Sequence, residues 1–213
     1  MLKTGQELEQ LLFSYPNDDS RFNIPGKIIH GTTELGFASI MRHNIQTRGY
    51  DILGIPTLPK SLDFGEGFYC TYNNSLCRKQ ARILAGTRAK MFNSKPIVIS
   101  IKVDSNINRD STLKCLFFDG NINIDGLEWA EFVVFHRVNK ETGRCSREPC
   151  NGHPDIIIGP VADGSAVTFY AYKVFKGDMT LLEFYYHVTK ARWFPNYKQV
   201  VFGSKAIKYL SLV

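Results

Sequence analysis

Apolar positions fall in short runs separated by turn-forming residues, and their spacing alternates between strand-like and helix-like stretches. Thr4-x-x-Glu7 forms a capping box ahead of Leu8, Leu11 and Leu12, which predicts a short opening helix within residues 1–15. Lys27-Ile28-Ile29-His30 reads as a strand running into Gly31. Thr32 or Thr33 then caps a helix carrying Leu35, Phe37, Ala38, Ile40 and Met41 and ending near Asn44. Residues 46–66 read as a long irregular loop, the kind that in a compact domain carries function or moves. Residues 67–71 form a strand, and Asn73 or Asn74 caps a helix to about Leu84. Residues 96–103 and 114–118 are further strands. Trp129, Phe132, Val133 and His136 recur at helical spacing within 127–138, with Glu128, Glu131 and Arg137 on other positions. The polar stretch 139–154 looks like an exposed insertion. A strand over 155–161, a helix over 179–188 introduced by Asp178, a last strand over 197–202 and a short terminal helix capped by Ser204 complete the pattern. Strands and helices intersperse without a βαβ rhythm, so the expected fold is α+β, as one domain over 1–213.

Composition narrows this picture. An apolar fraction of 44% over 213 residues supports one good core and excludes a disordered chain. The net charge of +6 favours anionic ligands, but no run of five basic residues marks a nucleic-acid stripe. Cys70, Cys77, Cys115, Cys145 and Cys150 lack disulfide-scaffold spacing, and reduced thiols in a cytoplasm are the expectation. Cys145, Cys150 and His153 invite zinc, yet a fourth ligand at suitable spacing is missing, so no metal is expected. The opening residues do not read as a secretory signal, and no stretch approaches membrane-spanning length.

Two short motifs carry candidate chemistry. In His30-Gly31-Thr32 an imidazole and a bare backbone stand side by side at a strand end, where a flat carboxamide approaches main-chain groups closely. In Asp63-Phe64-Gly65-Glu66-Gly67-Phe68-Tyr69-Cys70-Thr71 two glycines precede an aromatic strand, and Tyr69 and Phe68 point to opposite sides of the sheet. Asp63 and Glu66 read as loop acids exposed to solvent.

Together these motifs resemble the H-Y-E class of ADP-ribosyltransferases, the class of the diphtheria-type toxins and poly-ADP-ribose polymerases. Asp63–Tyr69, WAEFVVFHR, DIIIGPVADG and QVVFGSKAIKYL also resemble a small bacterial family of unassigned function within that superfamily, from about residue 27 onward. The resemblance implies a split mixed β-sheet core with flanking helices, and NAD as co-substrate. It gives His30 to the adenosine ribose, the Gly31 backbone to the nicotinamide carboxamide, and Tyr69 to the nicotinamide ring. Thr32, Gly67 and Phe68 would complete the NAD-binding set.

The third triad position departs from the class. A Glu is expected to open the last core strand, and the matching segment reads Gln199-Val200-Val201-Phe202. Breaking the nicotinamide–ribose bond builds oxocarbenium-like charge, which a carboxylate stabilises and an amide does not neutralise. Glu131, followed by an aromatic and two valines, is the leading substitute acid, and Glu128 the second. Arg42 and Arg48 are candidates for the pyrophosphate. The implied function is NAD-dependent mono-ADP-ribosyl transfer to a macromolecular acceptor, a protein or alternatively a nucleic acid. The setting would be the cytoplasm, or a target-cell cytosol reached without a cleaved signal peptide. The alternative is a catalytically degenerate module of the same fold that binds a nucleotide or a partner protein.

Overall fold

The computed structural model describes residues 20–47, 62–120, 124–138, 153–162, 166–190 and 194–213. Within them the chain is α+β, with seven strands in one mixed sheet and five α-helices. The strands are β1 (Lys27–Thr33), β2 (Phe68–Tyr72), β3 (Pro96–Val103), β4 (Cys115–Phe117), β5 (Ile156–Pro160), β6 (Lys198–Phe202) and β7 (Leu210–Leu212). The helices are α1 (Glu34–His43), α2 (Ser75–Met91), α3 (Ile124–Arg137), α4 (Val167–Lys176) and α5 (Leu181–Val188). The sheet order is β4-β5-β6-β2-β1-β3-β7, and the β4–β5 pair alone is parallel among these strands.

Paired residues share a face, so the register sorts the core into two layers. Ile28, Phe68, Cys70, Ile99, Ile101, Ile156, Ile158, Val200 and Phe202 point to one face, where Phe22, Ile24 and Ile45 join them. Leu116, Ile157 and Val201 point to the other, beneath Trp129, Phe132, Val133, Ala171 and Phe184 of the three helices α3, α4 and α5. Helix α2 turns Cys77, Ala81, Ala85 and Ala89 inward at four-residue spacing and packs on β1 and β3. A stripe of small side chains brings its backbone unusually close to the sheet.

Several boundaries differ from the sequence expectation. Strand β1 continues through Gly31 to Thr33, and Thr33 caps α1, its hydroxyl accepting from the Gly36 N–H at 3.1 Å. Asn74 caps α2, accepting from the Cys77 N–H at 2.8 Å, and α2 runs two turns past Leu84 to Met91. Thr180, not Asp178, caps α5 in a full capping box with Glu183. Helix α4 was not foreseen, and the terminal KAIKYL segment is a 3₁₀ turn leading into β7 rather than a helix. The expected N-terminal helix, most of the loop at 46–66 and nearly all of the 139–154 insertion lie outside the described residues. No helix among the described residues is long and apolar enough to cross a membrane.

Candidate functional site

Strands β1 and β2 are the middle of the sheet, yet they are joined by two pairs only, Ile28↔Tyr72 and Ile29↔Thr71. On its other side β1 pairs with β3 along all seven residues. The phase of that longer ladder is set at its ends. The Val103 N–H donates to the Gly26 carbonyl at 3.0 Å, and the Glu34 N–H donates to the Lys95 carbonyl at 2.9 Å. Hydrogen-bonded pairs alternate in an antiparallel ladder, so even-numbered residues of β1 bond to β3. Ile29 and Gly31 therefore turn their N–H and C=O groups toward β2. Continued, the register would set Gly31 opposite Tyr69. Instead the His30 imidazole enters the seam, and its Nδ1 donates to the Tyr69 carbonyl at 2.6 Å. The ladder stops there, and the Gly31 main chain faces the gap between the two strands.

The imidazole is held firmly. Its ring stacks on Phe68 with centroids 4.5 Å apart and an interplanar angle of 27°. Burial lowers the His30 pKa to about 4, opposed by the bond to the Tyr69 carbonyl and helped by the charge of Arg88 on α2. The ring is thus neutral at pH 7 with its proton on Nδ1, and Nε2 is a lone-pair acceptor suited to a hydroxyl group.

Tyr69 is locked by its hydroxyl. It donates to the Gly65 carbonyl at 2.7 Å and accepts from the Phe64 N–H at 3.1 Å. Burial, then the nearby Asp63 charge, pushes its pKa strongly up, so the phenol stays protonated. Both glycines of the motif have packing reasons. Gly65 adopts φ 71°, and a Cβ there would also lie 2.6 Å from the His136 ring. A Cβ on Gly67 would lie 2.3 Å from Val201 Cγ1. Gly31 is corrected in one respect. Its missing Cβ would point at the Ala81 carbonyl, 2.5 Å away, so the helix and not a ligand occupies its bare side.

Gln199 lies opposite Thr71 on β6 and shares a face with Tyr69, two residues along β2 and so about 7 Å away by strand geometry. Its Nε2 donates to Asp63 Oδ2 at 3.3 Å. Asp63 is the main correction to the sequence reading: it is buried at 4% exposure, not a solvated loop acid. Its Oδ1 accepts from Arg137 Nε at 2.9 Å and Nη2 at 2.6 Å, and its Oδ2 accepts from the Ala162 N–H at 3.2 Å.

Glu131 is buried in the middle of α3, where every residue from Trp129 to His136 is buried. It precedes Arg137 by about 9 Å of helix rise, and the carboxylate that meets Gln199 is that of Asp63. Glu128 is half-buried. Thr32 packs beneath the first turn of α1, its hydroxyl 2.2 Å from where a Gly36 Cβ would stand. Arg42 lies in the exposed last turn of α1, and Arg48 falls outside the described residues. Arg88 was not foreseen; its charge reaches both His30 and Tyr69. Cys70, Cys77 and Cys115 are buried free thiols, and Cys145 and Cys150 lie outside the described residues. Among the described residues, no three His, Cys, Asp or Glu side chains gather as a metal site requires.

The Phe68–Tyr69 strand, Asp63 and Gln199 all fall within residues 51–212, the span matched by the model of a family described as a protein of unknown function, DUF3990. The chain belongs to that family. His30 and Gly31 precede the matched span, so β1 and α1 of this DUF3990 member lie before the part that the family model matches. No curated protein and no solved structure matches the chain.

A pair of imidazoles, His136 and His153, lies beside Gly65 of the motif. His136 is fully buried with Nδ1 donating to the Phe132 carbonyl at 2.8 Å, and the His153 ring is 5.2 Å from it. Burial, then the His136 charge, lowers the His153 pKa to about 3. His30 and His153 therefore bind fewer protons folded than unfolded, where His titrates near about 6.5. Their contribution is complete above that value and is lost as pH falls toward about 4 and about 3. Urea titrations at pH 7.5 and pH 5 should show a lower midpoint at pH 5, and His30→Gln should shrink the difference. Equal midpoints would contradict it.

Proposed function

We propose that this protein binds NAD in the gap between β1 and β2 and acts as an ADP-ribosyltransferase. The observation that carries this reading is the turned-out Gly31 main chain beside Tyr69, with His30 diverted into the seam. A primary carboxamide offers one N–H donor and one C=O acceptor, which match the Gly31 C=O and N–H in a paired contact. The Tyr69 ring supplies a fixed flat surface for the nicotinamide. The neutral His30 Nε2 accepts from a ribose hydroxyl. Arg88 brings positive charge to meet the pyrophosphate.

In the reaction, the bond between the nicotinamide nitrogen and ribose C1′ breaks, and its electron pair leaves with neutral nicotinamide. A bond forms between C1′ and the acceptor nucleophile, which releases a proton; with water as acceptor the products are ADP-ribose, nicotinamide and a proton. The acceptor is a macromolecule, most simply a protein. The buried free thiols suit a reducing cytosol, that of the producing cell or of a target cell.

The purified protein should bind NAD in calorimetry and release nicotinamide from it, faster when cell extract supplies acceptor. Absence of both binding and release would sink the reading. A second reading, a module that binds NAD or a related nucleotide without chemistry, is favoured by Gln199 in place of a carboxylate. Binding without nicotinamide release, with or without extract, would decide for it.

A further inference from the structure

The site holds a buried acid one hydrogen bond away from Gln199, the position where an acid was expected. Asp63 divides its two oxygens between different tasks. Oδ1 is taken by the Arg137 fork, at 2.6 and 2.9 Å, which neutralises that side of the carboxylate. Oδ2 is left for the Ala162 N–H and for Gln199, through longer bonds of 3.2 and 3.3 Å. The ion pair is therefore a dipole with its negative end toward Gln199.

A carboxylate accepts and does not donate, so this contact decides which end of the Gln199 amide faces Asp63. The NH₂ end points at Asp63, and the carbonyl Oε1 points away from it. Among the described residues, Gln199 Oε1 accepts no hydrogen bond, although the residue is buried at 7% exposure. It is also not a sealed-off atom: among the described residues, Gln199 Oε1 is not one of the fully buried side-chain atoms that lack a hydrogen bond. The side chain lies on the sheet face that also carries Tyr69, so its free acceptor is on the same face as that ring.

We propose that Asp63 is the acid of this site, acting as a positioning residue through Gln199. It holds the amide with Oε1 toward the reacting ribose and polarises it, so that the carbonyl accepts more strongly from a ribose hydroxyl. The inference rests on reading the gap as the NAD cleft. An N–H donated to an anion shifts amide electron density onto the carbonyl oxygen, so the chain Asp63–Gln199–hydroxyl is cooperative. Positive charge growing at C1′ then meets an electron-rich neighbour. No proton leaves at this step: the hydroxyl keeps its hydrogen, and the Asp63–Arg137 contact is unchanged.

The test compares four proteins in one assay: wild type, Asp63→Asn, Gln199→Glu and the double exchange. NAD affinity is measured by calorimetry, nicotinamide release as kcat and KM, and folding by thermal melting. Asp63→Asn should lower kcat roughly tenfold or more while NAD affinity stays within about twofold. The double exchange moves the carboxylate from one partner to the other and should recover the lost kcat. Gln199→Glu alone sets two carboxylates together, so its kcat should rise along a limb at least one unit above the usual Glu value of about 4.3. That last measurement leaves Asp63 in place and decides the matter where Asp63→Asn does not fold. An active wild type with Asp63→Asn unchanged in kcat, or a Gln199→Glu limb at the ordinary Glu value, overturns the role of Asp63 alone. A wild type that binds NAD without releasing nicotinamide overturns the transferase reading and this inference together.

Discussion

Tyr69→Ala should lower kcat/KM for nicotinamide release by a hundredfold or more, whereas Tyr69→Phe should keep the greater part of it. The difference separates the ring from its hydroxyl. The ring is the only flat aromatic surface that the β2 register sets opposite the Gly31 main chain among the described residues. Its removal loses the stacking face and leaves the carboxamide contact without an opposing wall. Ring stacking of this sort contributes about 1 kcal/mol, and misplacing a reacting bond by an ångström costs about a hundredfold in rate. The hydroxyl has a different task. It ties β2 back to the Phe64–Gly65 turn at 3.1 and 2.7 Å, and so holds Asp63 near Gln199. Tyr69→Phe leaves the Phe64 N–H and the Gly65 carbonyl without that partner, so its effect should appear as about 1–3 kcal/mol of stability. Steady-state nicotinamide release and thermal melting on both variants check the split. Equal activity losses would mean that the ring does not meet the substrate.

The motif residues were legible in the sequence because their chemistry is local. Gly65 and Gly67 announce a turn that only residues without a Cβ can make against His136 and Val201, and Thr33 and Asn74 announce helix starts. Asp63 was not legible. Its partners Arg137 and Gln199 lie 74 and 136 residues away, and an acid next to a Gly-rich turn reads as solvated until the fold closes over it. Arg137 ends a helix whose buried run left no polar face to mark it as special. Helix α4 was missed for a different reason. Val167-Thr168-Phe169-Tyr170 is β-branched and aromatic, a local preference for strand, and packing of Val167 and Ala171 against its neighbours overrides it. Helix α2 outran its expected end near Leu84 because Ala85 and Ala89 continue the buried four-residue stripe to either side of Gly86.

That stripe makes Gly31 the position where fold and site depend most closely on each other, and Gly31→Ala should show it. The added methyl would lie 2.5 Å from the Ala81 carbonyl oxygen and 3.1 Å from its carbon, both backbone atoms of α2. No rotamer relieves such a contact; either the helix lifts or β1 shifts. Forced overpacking of this kind costs about 1–3 kcal/mol, and the upper part of that range fits a backbone obstacle. Melting should fall by roughly 5–10 °C for a domain of this size. The control is Gly86→Ala on the same helix, where nothing stands within 4 Å of the new methyl. It should gain about 0.5–1 kcal/mol, because glycine is a poor helix residue. The functional consequence follows from where the strain goes. Helix α2 carries Arg88 toward His30 and Tyr69, and β1 carries the Gly31 amide and carbonyl, so either adjustment changes the width of the gap. NAD affinity should therefore drop in Gly31→Ala even in the folded protein at low temperature, and remain at the wild-type value in Gly86→Ala. If Gly31→Ala melts like the wild type, the close approach of α2 is wrong; if it is destabilised but binds NAD normally, the gap beside Gly31 is not where the nicotinamide sits.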